Sequence, residues 1–205
     1  MEYCFNIMWH NCLDSTNKQA HRLLNETSMT DILSVIAARE QTAGRGQGTH
    51  TWTSAPGENL TFSMILNFEP AQVAWRFAGV QLRDGLEAVK QQIINTLICP
   101  VICDFLSAEG VQAHVKQPND IWVGNKKICG ILVENILRGS HVRYSIVGVG
   151  LNLNQTDFPA ELPNPVSLTQ LTGKKYKPEN VLSELVGLFC KKNMESSFSD
   201  SFDGK

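Results

Sequence analysis

The chain has 205 residues, 42% hydrophobic and 19% charged, with a formal net charge of −2. That length suits one domain with a sizeable core. The charge excludes a general polyanion binder but leaves room for one small anionic ligand.

Six cysteines, at 4, 12, 99, 103, 129 and 190, form no CxxC pair. They read as reduced, buried thiols of a cytoplasmic protein. Cys4, His10 and Cys12 have no second half that would complete a metal site. The opening residues lack the basic-then-apolar order of a signal peptide. No apolar run approaches the ~20 residues of a membrane span.

In chain order, Asp14-Ser15-Thr16 offers helix N-cap residues before Ala20, Leu23 and Leu24, which share a face. Ile32 to Arg39 reads as a strand, followed by a glycine-rich stretch from Ala43 to Gly48 and a second strand from Leu60 to Leu66. Ala71 to about Ile94, with Val73, Phe77, Val80 and Leu86, has the spacing of a long amphipathic helix.

Val111, Ala113 and Val115 alternate before Pro118, and Ile121-Trp122-Val123 follows. Gly124-Asn125 and Arg138-Gly139-Ser140 are turn signals leading into Ile128–Leu137 and Val142–Leu153. Two tight connections in succession predict an antiparallel meander rather than βαβ units. Val181 to Cys190 supplies a last helix before a polar tail. The fold class expected is α+β, a mixed and mainly antiparallel sheet flanked by helices. One domain over residues 1–192 and a tail over 193–205 are predicted.

Three segments suggest chemistry. Gly44, Gly46 and Gly48 alternate around Arg45, giving a flexible cationic loop for phosphate or carboxylate. It precedes a strand, so it is not a Rossmann turn, and no GxxxxGK[ST] occurs. A solvated surface loop explains that segment equally well. Lys116, Asp120 and Lys127 fall at strand ends, where Asp120 and Lys127 can meet across a ladder. Turn lysines beside an Asn-Asp turn are the blander account. Gly130, Gly148 and Gly150 lie within strands, and the last two open one face for a flat ligand, or mark a bulge or close packing.

Together these segments resemble the biotin protein ligase family from about Asp14 to Asn154. The motifs are Asp14-Ser15-Thr16-Asn17, Gln41 to Gly46 with Trp52, Lys116 to Asp120, Lys127 to Leu132, and Gly148 to Asn152. The resemblance implies a fold like the class II aminoacyl-tRNA synthetases and biotin ligases. It implies ATP and biotin as substrates with Mg²⁺, and a biotin carboxyl carrier protein or domain as partner. A homodimer is compatible with it; nucleic acid and membrane are not expected as partners.

By the same resemblance, Ser15, Thr16 and Gln41, with help from Ser63, bind biotin's ureido ring, Gly148 and Gly150 flank its thiophene side, and Asn17 is a further biotin-binding residue. Arg45, Gly46 and Gln47 close over the intermediate. Lys127 contacts the carboxylate and the α-phosphate, with Lys116 and Asp120 beside it. Trp52, Asn119 and Asn152 complete the nucleotide side, although Trp52 is equally well read as plain core.

Two departures stand out. Gln47 replaces the family's second loop arginine, with Thr49-His50 in place of Gly-Arg, so either the intermediate is held more weakly or His50 compensates. Gln117 replaces a tryptophan, a packing change. Only thirteen residues precede Asp14, too few for a winged helix, and a C-terminal barrel is expected to be absent or truncated. A lipoate–protein ligase and a non-catalytic biotin sensor or repressor are the competing readings.

Overall fold

The computed structural model describes residues 6–27, 31–68, 85–139 and 141–193. Seven strands form one sheet in the order β1-β2-β3-β7-β6-β5-β4. They are β1 (Asn6–Leu13), β2 (Leu33–Gln41), β3 (Leu60–Asn67), β4 (His114–Lys116), β5 (Asp120–Val123), β6 (Lys126–Arg138) and β7 (His141–Leu151). The β5 to β7 meander forms at the two predicted turns, and β4 joins it through residues 117–119. Val111 and Ala113, however, precede β4 rather than belonging to it.

The first half supplies the parallel part of the expected mixed sheet, through a strand that the sequence does not announce. β1 pairs in parallel with β2, and helix α1 (Thr16–Glu26) crosses between them. That is a βαβ unit, the connection parallel neighbours require. β1 is half-exposed along its length, so its sequence lacks the alternation that announces a strand.

Phe62 and Met64 on β3, Ile131 and Val133 on β6, and Val147 and Val149 on β7 share one face of the sheet. Two helical elements cover that face. One runs through α2 (Leu86–Gln92), a π-helical segment (Ile93–Ile98) and α3 (Cys99–Ala108); the other is α5 (Pro178–Asn193). Pro100 has no N–H to give to the preceding turn, and the helix widens into the π form just before it. Most of the predicted Ala71–Ile94 helix lies outside the described residues, and the described part runs on to Ala108.

By length and hydropathy Leu86–Ala108 could cross a membrane. Here Val89, Ile93, Ile98, Ile102 and Phe105 are buried against the sheet, as in a core helix. Each such side chain contributes roughly 1.5–3 kcal/mol. A short helix, α4 (Leu168–Thr172), begins with a Ser167/Gln170 capping box, which the sequence reading did not anticipate.

α1 covers the opposite face, packing Ala20 near Ile36, Ile65 and Ile146. Cys99, Cys129 and Cys190 are buried, and burial pushes the Cys99 thiol up to about 12. Cys12 is exposed and Cys103 half-buried, contrary to a uniformly buried set. Cys4 lies outside the described residues.

Candidate active site

A cavity of about 370 Å³ opens on the α1 face of the sheet, between the start of α1, the glycine-rich loop and the β5–β6 hairpin. That volume suits a small organic ligand. Ladder register sets its floor. Ser63 pairs with Gly148 and Thr61 with Gly150 across β3–β7; Gly148 pairs with Leu132 and Gly150 with Gly130 across β7–β6. Gly130 in turn pairs with Asp120.

At the α1 end the polar groups are short and mutually bonded. Gln41 Oε1 accepts from the Thr16 N–H at 2.8 Å and lies 3.2 Å from the Thr16 hydroxyl. The Ser63 hydroxyl lies 2.7 Å from Thr16 Oγ1 and 2.6 Å from Asn17 Oδ1, and its one proton serves one of them at a time. Ser15, at the N-cap, lines the cavity and makes no side-chain cap bond. Asp14 accepts from Arg22 and from the Ser15 N–H; the guanidinium lowers the Asp14 pKa to about 2.

At the other end Lys127 Nζ sits 2.7 Å from Asp120 Oδ1. The backbone there is clamped: the Lys127 N–H donates to Asn164 O, and Val166 N–H donates to Lys127 O. Asn119 donates through Nδ2 to Ile131 O at 2.8 Å and accepts the Ile131 N–H, fixing the wall beside the pair.

The glycine-rich loop is a small hairpin. Gly46 N–H donates to His50 O, Trp52 N–H donates to Gly44 O, and Arg45 bridges to Thr51. Gly48 takes a φ of 63° at its turn, and a Cβ on Gly44 would stand 2.3 Å from Trp52 O. Arg45 reaches Glu134 on β6, with N–O distances of 2.9 and 3.2 Å.

The room above the strand glycines is taken by the chain itself, not left for a flat ligand. A Cβ on Gly150 would meet the Trp52 ring at 2.3 Å, and one on Gly148 would meet Asn17 Oδ1 at 2.2 Å. Gly148→Ala should therefore cost roughly 1–3 kcal/mol in a urea titration by overpacking. Gly187→Ala, inside α5 with nothing within 4 Å of its Cβ, should gain up to about 1 kcal/mol.

Of the predicted residues, Ser15, Thr16, Asn17, Gln41, Arg45, Gly46, Gln47, Trp52, Asn119, Asp120, Lys127, Gly148 and Gly150 line the cavity. Three do not. Lys116 is drawn away over the Trp122 ring, 3.5 Å from its centroid. Ser63 is fully buried under Thr16 and Asn17. Asn152 is buried too, donating to Val166 O at 3.1 Å and so holding the strand that carries Lys127.

His50, named beside Gln47 as a possible compensation, lines the wall, and Trp122 and Pro163 join it without a role foreseen for them. The indole N–H groups of Trp52 and Trp122 are buried donors with no partner among the described residues. Gln117 does not repack a vanished indole. It lies exposed in a polar clasp, accepting from Gln91 at 2.7 Å and donating to Asn95 at 3.1 Å.

A model of the biotin/lipoate A/B protein ligase family matches residues 9–152. The bifunctional ligase/repressor BirA of Bacillus subtilis is 33% identical over 191 residues, covering 91% of this chain. The chain spans only 53% of that relative's length. A biotin–[acetyl-CoA-carboxylase] ligase of Paracoccus denitrificans is 28% identical, with 87% of this chain and 69% of the relative covered. Among solved structures, a biotin protein ligase from Aquifex aeolicus in complex with biotin and ATP superposes with a TM-score of 0.69 at 26% identity. That match covers 91% of this chain and 69% of the other.

Proposed function

The chain belongs to the biotin/lipoate A/B protein ligase family, and on that premise we propose that it activates biotin with ATP and passes the biotinyl group to one lysine of a carrier protein. The observation that carries this reading is a single cavity with two unlike ends. Neutral hydrogen-bonding groups of Thr16, Asn17 and Gln41 stand at one end, and the Lys127–Asp120 pair stands at the other. A neutral ureido ring needs the first, and a carboxylate meeting a phosphate needs the second.

In the first step the biotin carboxylate attacks the α-phosphorus of ATP, and pyrophosphate leaves. Negative charge builds on the nonbridging oxygens, where an ammonium already fixed by its backbone lowers the barrier. Lys127 is that group, and its backbone is clamped between Asn164 and Val166. Asp120, a carboxylate on the cavity wall, would hold the Mg²⁺ that accompanies ATP, and the ion would supply further charge neutralisation at the phosphates. In the second step the carrier's lysine amine attacks the acyl carbon and AMP leaves.

Until the amine arrives, the mixed anhydride needs cover from water, and the Gly44–Trp52 hairpin with Arg45 supplies the lid. Ser63 and Asn152 act from behind, through Thr16 and the Lys127 strand. Lys116 props Trp122. The carrier is a biotin carboxyl carrier protein or domain of a carboxylase, met in the cytoplasm.

A thermal-shift series tests the substrate. Biotin with ATP and Mg²⁺ should raise Tm more than biotin alone, and lipoate should leave it unchanged. Equal stabilisation by lipoate would assign the cavity to the other branch of the family.

A further inference from the structure

Glu134 is a carboxylate that the reaction does not use, yet it touches both halves of the site. It lies on β6, two residues beyond Leu132, with its side chain 21% exposed. Its carboxylate accepts from Asn17 Nδ2 at 2.8 Å, pairs with Arg45 at 2.9 Å, and lies 3.5 Å from His21 Nε2. These partners come from the first turns of α1 and from the loop hairpin, so the one carboxylate ties both elements to β6.

Asn17 shows what the contact decides. Its Oδ1 faces the Ser63 hydroxyl at 2.6 Å and stands over Gly148, so its Nδ2 must turn to the other side, where Glu134 waits. Without that acceptor only the Ser63 hydroxyl, among the described residues, distinguishes the two amide orientations, and a flipped amide would present a donor where the pocket now has an acceptor. Arg45 shows the other half. Its fork is matched by a carboxylate, and this pair draws the loop toward the α1 end of the cavity.

We propose that Glu134 is a positioning residue that holds the pocket amide of Asn17 in one orientation and anchors the Arg45 loop beside it. The first role needs only a hydrogen-bond acceptor, whereas the second needs the charge. Glu134→Gln keeps an acceptor oxygen for Asn17 and loses the ion pair; Glu134→Ala loses both. The inference rests on reading the cavity as a biotin site for the first role only.

Two measurements on the full chain separate the roles. Trypsin cleavage after Arg45, followed without ligand, reports the anchor. Both variants should be cut roughly 2–5-fold faster than the native chain, the scale of one partly exposed ion pair. Biotin affinity by calorimetry reports the amide. Glu134→Gln should stay within about 2-fold of native, while Glu134→Ala should lose roughly 5–100-fold, as expected for a polar group left without its partner.

Native-rate cleavage of Glu134→Gln would overturn the anchor. Unchanged biotin affinity in Glu134→Ala would overturn the amide role, as would equal losses in both variants. A native chain that ignores biotin would refute the reading of the cavity instead, and the cleavage rates would still judge the anchor.

Discussion

Lys127→Ala should slow biotin-dependent pyrophosphate release by roughly 10²–10³-fold, the scale of one preorganised electrostatic contact. The residue touches Asp120 at 2.7 Å and lies on the cavity wall, while its hold on the fold runs through backbone bonds that alanine keeps. Its side chain is 30% exposed and contributes little core. Loss of the ion pair is therefore a minor stability term, and the melting temperature should move little. Pyrophosphate release from radiolabelled ATP, beside a melting curve, measures both. A folded mutant with near-native release would mean that another cation carries the α-phosphate.

Arg45→Gly should damage retention of the adenylate more than its formation. It removes the guanidinium, the Glu134 contact and the stiffness of the hairpin together, since three glycines would then run from 44 to 46. Losing a charged hydrogen-bond partner predicts adenylate dissociation roughly 10–100-fold faster. Escaped adenylate acylates any lysine it meets, so unrelated proteins in the same tube should become biotinylated. Stopped-flow dissociation with bystander labelling gives the comparison. Unchanged dissociation with much weaker biotin binding would make Arg45 a substrate anchor and remove the lid.

The second half of the fold was legible because its signals are local. Gly124-Asn125 and Arg138-Gly139 mark turns, and the strands between them alternate or run apolar. β1 was not legible, since a half-exposed edge strand has little pattern to show. α3 carries no announcing pattern: Ile, Val and Cys surround Pro100, and packing against the sheet supports that stretch as a helix.

The candidate site divides the same way. Residues carried by glycine-rich or charged motifs could be named from sequence, and thirteen of them line one cavity. What sequence could not supply was direction. Lys116 and Asn152 occupy motif positions, yet one side chain lies on an indole and the other points into the core. Glu134 was invisible because its partners, Asn17, His21 and Arg45, lie far from it in the chain.

The β3–β7 ladder also determines when a ligand can matter to the protein's assembly. β7 is a central strand laid between β3 and β6, and it joins the two ends of the cavity floor. Its pairing with β3 closes a long stretch of chain, a step whose entropy is lost before the ladder returns it. A nascent chain emerging N-terminus first carries Gln41, Trp52 and Lys127 before they enclose any common space. If biotin and ATP are its substrates as proposed, they would act by mass action on the finished state rather than template early folding. Substrate supply would then govern how long the folded protein survives, and not how fast it is made.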